Sequence, residues 1–290
     1  MRHSSLPDLK VNRRADRAVL DKISSNRNHQ NVALECSRLP FPPLASLGYP
    51  TFDPTTNVPS IPLAFADTKR SPEDIAIDGN DPTLALARSH IKPWHKPLVV
   101  FLDGILDPQN LGNILRTCHF YNVTAVAIAT NTCAPISSAT LAKASSGACE
   151  AIPLFAVSRP SDFIYQSARA GWRVDASVAP SGDWGANARE SAKAISTADV
   201  KKASPLAKKP TILMLGAEGE GLRKNLVRHA DGLVSIMPAG GVGVARSQKH
   251  DVGVDSLNVG TAAGVLLEAY YTEPLGGNRE SRSTGGDKIW

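Results

Sequence analysis

Three stretches of this chain carry polar residues in patterns that could do chemistry. The first, residues 101–116, reads Phe-Leu-Asp-Gly-Ile-Leu-Asp-Pro-Gln-Asn-Leu-Gly-Asn-Ile-Leu-Arg. Its polar loop offers Asp107, Gln109 and Asn110, and Arg116 follows within two helical turns. Such a loop, leaving the carboxyl end of a strand, is the usual place for an α/β active site, although a plain capped turn reads the same way. The second is Gly216-Ala217-Glu218-Gly219-Glu220-Gly221. Its glycines let a ligand approach the backbone closely. The GxGxxG spacing of a dinucleotide turn is absent, and so is the lysine of a phosphate-binding P-loop. A tight turn between strand and helix would also satisfy this stretch. The third, residues 255–258, is Asp-Ser-Leu-Asn; Asp255 and Ser256 are both good helix N-caps. The four cysteines, Cys36, Cys118, Cys133 and Cys149, show no CxxC pairing, so neither a zinc site nor a disulfide framework is indicated. Cys118 and Cys149 read as reduced core residues.

Elements must bring these stretches together. Apolar runs predict strands over 98–102, 125–129, 152–156, 173–177, 211–215 and 232–236. Helical spacing predicts helices over 111–121, 138–144, 161–170, 222–229 and 258–272, with Asn110 at the N-cap of the first. Strands alternating with helices, most of the strands continuous apolar runs, call for an α/β fold: a parallel sheet with helices on both faces. The last helix has a face of small residues, Gly260, Ala262, Ala263 and Gly264, suited to a crowded core or to a subunit interface.

The flanks read differently. Residues 40–97 hold 11 of the 21 prolines, a density that argues against long helices and central strands. We read residues 40–96 as a Pro-rich linker lying partly against the α/β domain, with a short helix over 81–90. Residues 180–209 read as a mobile basic insertion around Lys201, Lys202, Lys208 and Lys209. Residues 240–254 are glycine-rich with Arg246, Lys249, His250 and Asp251 and separate the last strand from the last helix, and residues 276–290 read as a disordered tail. Near the start, Ala18, Val19, Leu20 and Ile23 suggest a short helix, followed by a turn and strand over 28–35. The net charge of +5 suits a polyanionic partner. No apolar run is long enough to span a bilayer.

Taken in order, the three polar stretches resemble the SpoU family of RNA ribose 2′-O-methyltransferases, in the SPOUT class. The nearest resemblance is to the mitochondrial large-subunit rRNA guanosine 2′-O-methyltransferases. It covers roughly residues 98–275, and residues 1–39 are similar to the end of the L30e-like RNA-binding domain that precedes the catalytic domain in the family. The resemblance implies a SPOUT-type parallel sheet closed by a C-terminal trefoil knot within a methyltransferase domain over 97–275. It also implies S-adenosyl-L-methionine as cofactor, held by Gly216, Ile236 and Leu257, mostly through backbone groups. Catalytic roles fall on Asn110, Arg116, Glu218, Ser256 and Asn258, with Arg116 either as base or as electrostatic stabiliser. A homodimer, an rRNA partner and a mitochondrial matrix location are implied too. The chain departs from the family pattern at Ala217, Met237-Pro238 and Gly260. A tRNA ribose methyltransferase, a non-catalytic RNA-binding assembly factor on the same fold, and an unrelated nucleotide-binding α/β protein are the rival readings.

Overall fold

Strands that are apolar on both faces need both faces covered, and the chain supplies two different covers. The computed structural model describes residues 16–24, 26, 31–32, 37–52, 59–67, 69–86, 95–180, 194–238 and 257–273. The chain divides into two units, Met1–Arg38 and Leu39–Trp290. In the first, α1 (Arg17–Ile23) is capped by Asp16, whose side chain accepts from the Ala18 amide. Most of the turn and strand expected over 28–35 lies outside the described residues.

The second unit begins with β1 (Leu44–Leu47), β2 (Thr51–Phe52), β3 (Pro59–Phe65), α2 (Pro72–Asp78) and β4 (Thr83–Ala85). Then come β5 (Leu98–Leu102), α3 (Pro108–Phe120), β6 (Ala125–Ala129), α4 (Ala139–Ser145), α5 (Ala148–Ala151) and β7 (Leu154–Val157). Next are α6 (Pro160–Arg169), β8 (Arg173–Ser177), β9 (Ile195–Ser196), α7 (Thr197–Ala203) and α8 (Pro205–Lys208). The unit ends with β10 (Thr211–Leu215), α9 (Lys224–Val227), β11 (Gly232–Ser235) and α10 (Val259–Tyr271).

The seven-stranded sheet has the order β7-β6-β5-β10-β8-β11-β9, and every pairing in it is parallel. The period of two sorts each strand between two cores. Leu98, Val100 and Leu102 join Leu213 and Leu215 under α3, α4, α7, α8 and α10, while Val99 and Phe101 join Ile212 and Met214 under α6 and α9. Cys118 and Cys149 are buried, as their apolar neighbours imply.

The second face has an additional cover. Strands β1, β2, β3 and β4 form a four-stranded antiparallel sheet whose Leu44, Leu47 and Ile61 belong to the same core as Phe101 and Trp172. It is pinned by Leu47 N–H donating to Ser167 Oγ at 3.0 Å and by Trp172 Nε1 donating to Gly48 O at 2.8 Å. This corrects the linker expectation. The prolines do not keep β3 at an edge, because they serve its ladder as acceptors: Pro62 O takes the Gly48 amide, and Pro59 O takes the Leu86 amide. The helix expected over 81–90 is replaced at 83–85 by β4, which pairs with β3; residues 87–90 lie outside the described residues.

Part of the expected basic insertion is also folded. Ser196 and Asp199 make a capping box that starts α7, and Val200 and Leu206 enter the first core. The small face of α10 packs within the chain: Ala263 is fully buried, and a Cβ on Gly264 would lie 3.8 Å from Thr117 on α3. Residues 239–256, which include the glycine-rich stretch and on which the expected knot depends, and the tail beyond 273 lie outside the described residues.

Candidate active site

In a parallel sheet all carboxyl ends lie on one edge, so the loops after β5, β6 and β10 are neighbours. Asp107, not Asn110, caps α3: its carboxylate accepts from the Gln109 and Asn110 amides at 3.0 and 3.3 Å. Pro108 takes the first helical position, where a missing N–H is harmless. This corrects the sequence expectation, because a cap followed directly by proline outcompetes one three residues later. It also leaves the Asn110 side chain available.

Asn110 uses both ends of its amide. Its Nδ2 donates to Glu218 Oε2 at 3.2 Å, and its Oδ1 accepts from Asn258 Nδ2 at 2.9 Å. Asn258 Oδ1 accepts from the Gly260 and Thr261 amides at 2.9 and 3.3 Å, so Asn258 is the N-cap of α10, in place of the expected Asp255 or Ser256. The N–H groups of a helix end thus run through two amides to one carboxylate. Each amide is oriented by a donor bond on one side and an acceptor bond on the other. Among the described residues, Glu218 Oε1 has no partner and is open as an acceptor.

The Glu218 loop is a closed hairpin. Ala217 and Gly221 exchange both backbone bonds, at 3.1 and 2.9 Å. A Cβ on Gly216 would sit 2.3 Å from the Gly221 carbonyl carbon, so only glycine fits there.

The sequence profile of the SpoU rRNA Methylase family matches residues 97–268, more than half of the chain and every residue of this cluster. The chain belongs to the SpoU rRNA methylase family. Over 262 residues it is 29% identical to "rRNA methyltransferase 1, mitochondrial" of Saccharomyces cerevisiae, covering 89% of this chain and 58% of that protein. Over 250 residues it is 31% identical to the protein of the same name from Schizosaccharomyces pombe, covering 86% and 70%. Over 172 residues it is 34% identical to the 23S rRNA (guanosine-2'-O-)-methyltransferase RlmB of Pseudomonas aeruginosa, covering 59% and 57%. The chain therefore spans a little over half the length of two of these relatives.

Of the residues the sequence singled out in this SpoU chain, the structure joins Asn110, Glu218 and Asn258, with Gly216 at the base of the Glu218 hairpin. Ile236 follows β11 and packs half-buried on the first core, and Leu257 stands 45% exposed just before Asn258. Ser256 lies outside the described residues. Arg116 does not join the cluster. Six residues beyond Asn110, it is about 9 Å further along α3 and about a third of a turn away. It is exposed and has no ion-pair or hydrogen-bond partner among the described residues.

Sequence reasoning missed one pair beside the cluster. Arg223 donates to both oxygens of the buried Asp103, from Nε at 2.8 Å and Nη2 at 2.7 Å. The available signal was an aspartate directly after an apolar strand, a position where a charge needs a partner.

Proposed function

We propose that this chain transfers a methyl group from S-adenosyl-L-methionine to the 2′-hydroxyl of a guanosine ribose in mitochondrial large-subunit rRNA. The carrying observation is the Glu218–Asn110–Asn258 contact, closed between residues 108 and 148 positions apart in a chain of the SpoU family. The names of the two yeast relatives and of RlmB support the substrate.

The residues present fit the cofactor. The glycines of the β10 loop let a ligand come against the backbone, Ile236 and Leu257 offer apolar surface, and Glu218 Oε1 is an open acceptor. The bound cofactor supplies an electrophilic sulfonium methyl. The chain's own part is positioning, which contributes several kcal/mol when reacting atoms are held in line. Asn110, itself oriented by Asn258, holds the Glu218 carboxylate to one side. Arg116 presents a planar fork of donors to an RNA phosphate and to the alkoxide that develops on the ribose. A homodimer and a matrix location are part of this reading on the family resemblance, and the names of the yeast relatives support a mitochondrial location. No helix among the described residues is long and apolar enough to cross a membrane.

The test has two parts. Calorimetry should show saturable binding of S-adenosylhomocysteine and no binding of NAD. Mass spectrometry of rRNA from cells lacking the protein should show one guanosine without its ribose methyl group. Absence of sulfur-ligand binding by the folded protein, or transfer to a base nitrogen, overturns the proposal.

A further inference from the structure

We infer that Asp103 and Arg223 are positioning residues: their ion pair holds the β5 and β10 loops in the register that lets Asn110 meet Glu218. The inference rests on the functional reading above and adds residues that the reading did not include.

Asp103 follows the last residue of β5 and is 1% exposed. Its oxygens are fully engaged. Oδ2 accepts from Arg223 Nε at 2.8 Å, and Oδ1 accepts from Arg223 Nη2 and from Thr132 Oγ1, both at 2.7 Å. The Thr132 oxygen in turn accepts the Gly104 amide at 3.2 Å. The Asp103 amide donates to Leu215 O, at the end of β10, at 3.0 Å. One carboxylate therefore gathers the loop after β6, the loop after β5 and the residue that closes the β10 loop.

Arg223 stands directly after Leu222, where the Glu218 hairpin returns to the body of the protein. One end of that hairpin is fixed by the pairing of β10 with β5, which runs to Leu215 against Leu102. The other end is fixed by Arg223. Two parallel N–H···O bonds set an angle as well as a distance, which a single ammonium contact does not. The loops also touch: Gly104 has φ +77°, and a Cβ there would lie 2.9 Å from Ala217 Cβ. With both ends held and its flank in contact, the hairpin presents Glu218 to Asn110 in one place.

The Arg223 side chain is 45% exposed over the buried Asp103, and an ion pair screened by solvent on one side is weak evidence of net stability. What this one supplies is convergence. Donors from separate loops meet on two oxygens, and the contact they hold in place is the one in the candidate site.

The test uses the full chain and two variants of similar size, Asp103→Asn and Arg223→Lys. Five quantities are measured: melting temperature, affinity for S-adenosylhomocysteine, kcat and KM with an rRNA fragment, and the side-chain amide signals of Asn110 in a ¹⁵N–¹H spectrum. The signals are assigned by their loss in Asn110→Asp. In folded Arg223→Lys the Asn110 amide signals should move and kcat should fall by about 30-fold or more, with KM for RNA within about threefold. Because the pair acts through Glu218, Arg223→Lys combined with Glu218→Gln should be no slower than Glu218→Gln alone. Unmoved Asn110 signals in a folded Arg223→Lys protein, or losses in kcat that multiply in the double variant, overturn the inference. If the unchanged protein transfers no methyl group, the functional reading fails by itself, and the Asn110 signals still decide the role of the pair. If Asp103→Asn does not fold, Arg223→Lys carries the whole test.

Discussion

Two polar clusters in this chain are each built around a carboxylate, and only one of them is open. Asp175, inside β8, is completely buried. Its Oδ2 accepts from Arg173 Nε at 2.8 Å and from Tyr270 OH at 2.6 Å; its Oδ1 makes an ion pair with Arg173 Nη2 at 2.8 Å, without hydrogen-bond geometry. No space is left beside it, since a Cβ on Gly232 would lie 2.5 Å from Oδ1. Burial pushes the Asp175 carboxyl above the usual carboxylate range, and the Arg173 guanidinium pulls against that shift. Glu218, by contrast, is exposed at the tip of a hairpin, holds Asn110 through one oxygen and leaves the other free. A carboxylate closed on all sides ties a helix to a sheet. One held from a single side can meet a ligand.

The largest effect should come from emptying the closed cluster. Asp175→Ala leaves the Arg173 guanidinium and the Tyr270 hydroxyl without their buried partner, a loss of about 3–5 kcal/mol. Melting temperature should fall by about 10 °C. Methyl transfer per folded molecule should stay within about twofold of the unchanged protein. A variant that melts normally but transfers slowly would mean that the two clusters are coupled, and the contrast between them would collapse.

At the open edge the effect should be reversed in kind. Arg116→Ala removes an exposed side chain with no partner among the described residues, so melting should hardly change. Transfer should fall by about 10²–10³-fold, or ~3–4 kcal/mol, the scale of losing one preorganised donor. Affinity for S-adenosylhomocysteine should stay within about tenfold. Arg116→Lys should also fail, because a point charge does not reproduce the planar fork. Full activity in a stable Arg116→Ala protein would remove Arg116 from the chemistry and leave the Glu218–Asn110–Asn258 cluster to stand alone.

The two clusters also differ in how far they could be read from sequence. The strands were legible from their apolar residues: β5, β6 and β10 fall on nearly continuous apolar runs, and β8 keeps Val174 and Ala176 at a period of two. The contact between Asn110 and Glu218 was not, because nothing local links positions 108 apart; only the resemblance paired them. Asp175 lies in Arg-Val-Asp-Ala-Ser, where polar and apolar residues alternate, and nothing in that pattern shows that its buried partner Tyr270 stands 95 positions further on. The sheet containing β3 was hidden by its prolines, which have no N–H to donate but whose carbonyls still accept. The α7 helix was obscured by Lys201 and Lys202, although Ser196 and Asp199 three residues apart carried a capping-box signal. Local pattern thus located the elements, and what escaped it were pairings between distant positions.

The smallest predicted effect tests whether the closed cluster is held by its proton as well as by its packing. The Tyr270 phenol is buried, and both burial and the neighbouring Asp175 carboxylate push it well above its usual value of 10.0. The folded state therefore binds this proton more tightly than the unfolded chain. Stability from this source is complete below the unfolded value and drains away as pH rises above it toward the folded value, by up to about 1.4 kcal/mol per pH unit. Other groups titrate in the same range, so the useful quantity is the difference between the unchanged protein and Tyr270→Phe. Near neutral pH the variant should be about 1–2 kcal/mol less stable, having lost a hydrogen bond to a carboxylate while Arg173 still pairs it. Above pH 10 that gap should close, because phenylalanine has no proton to lose. Urea unfolding at several values between pH 8 and about pH 11 would follow it. A gap that stays constant or widens with pH would mean that the folded state does not hold the Tyr270 proton more tightly than the unfolded chain, and that the closed cluster consists of Asp175 and Arg173 only.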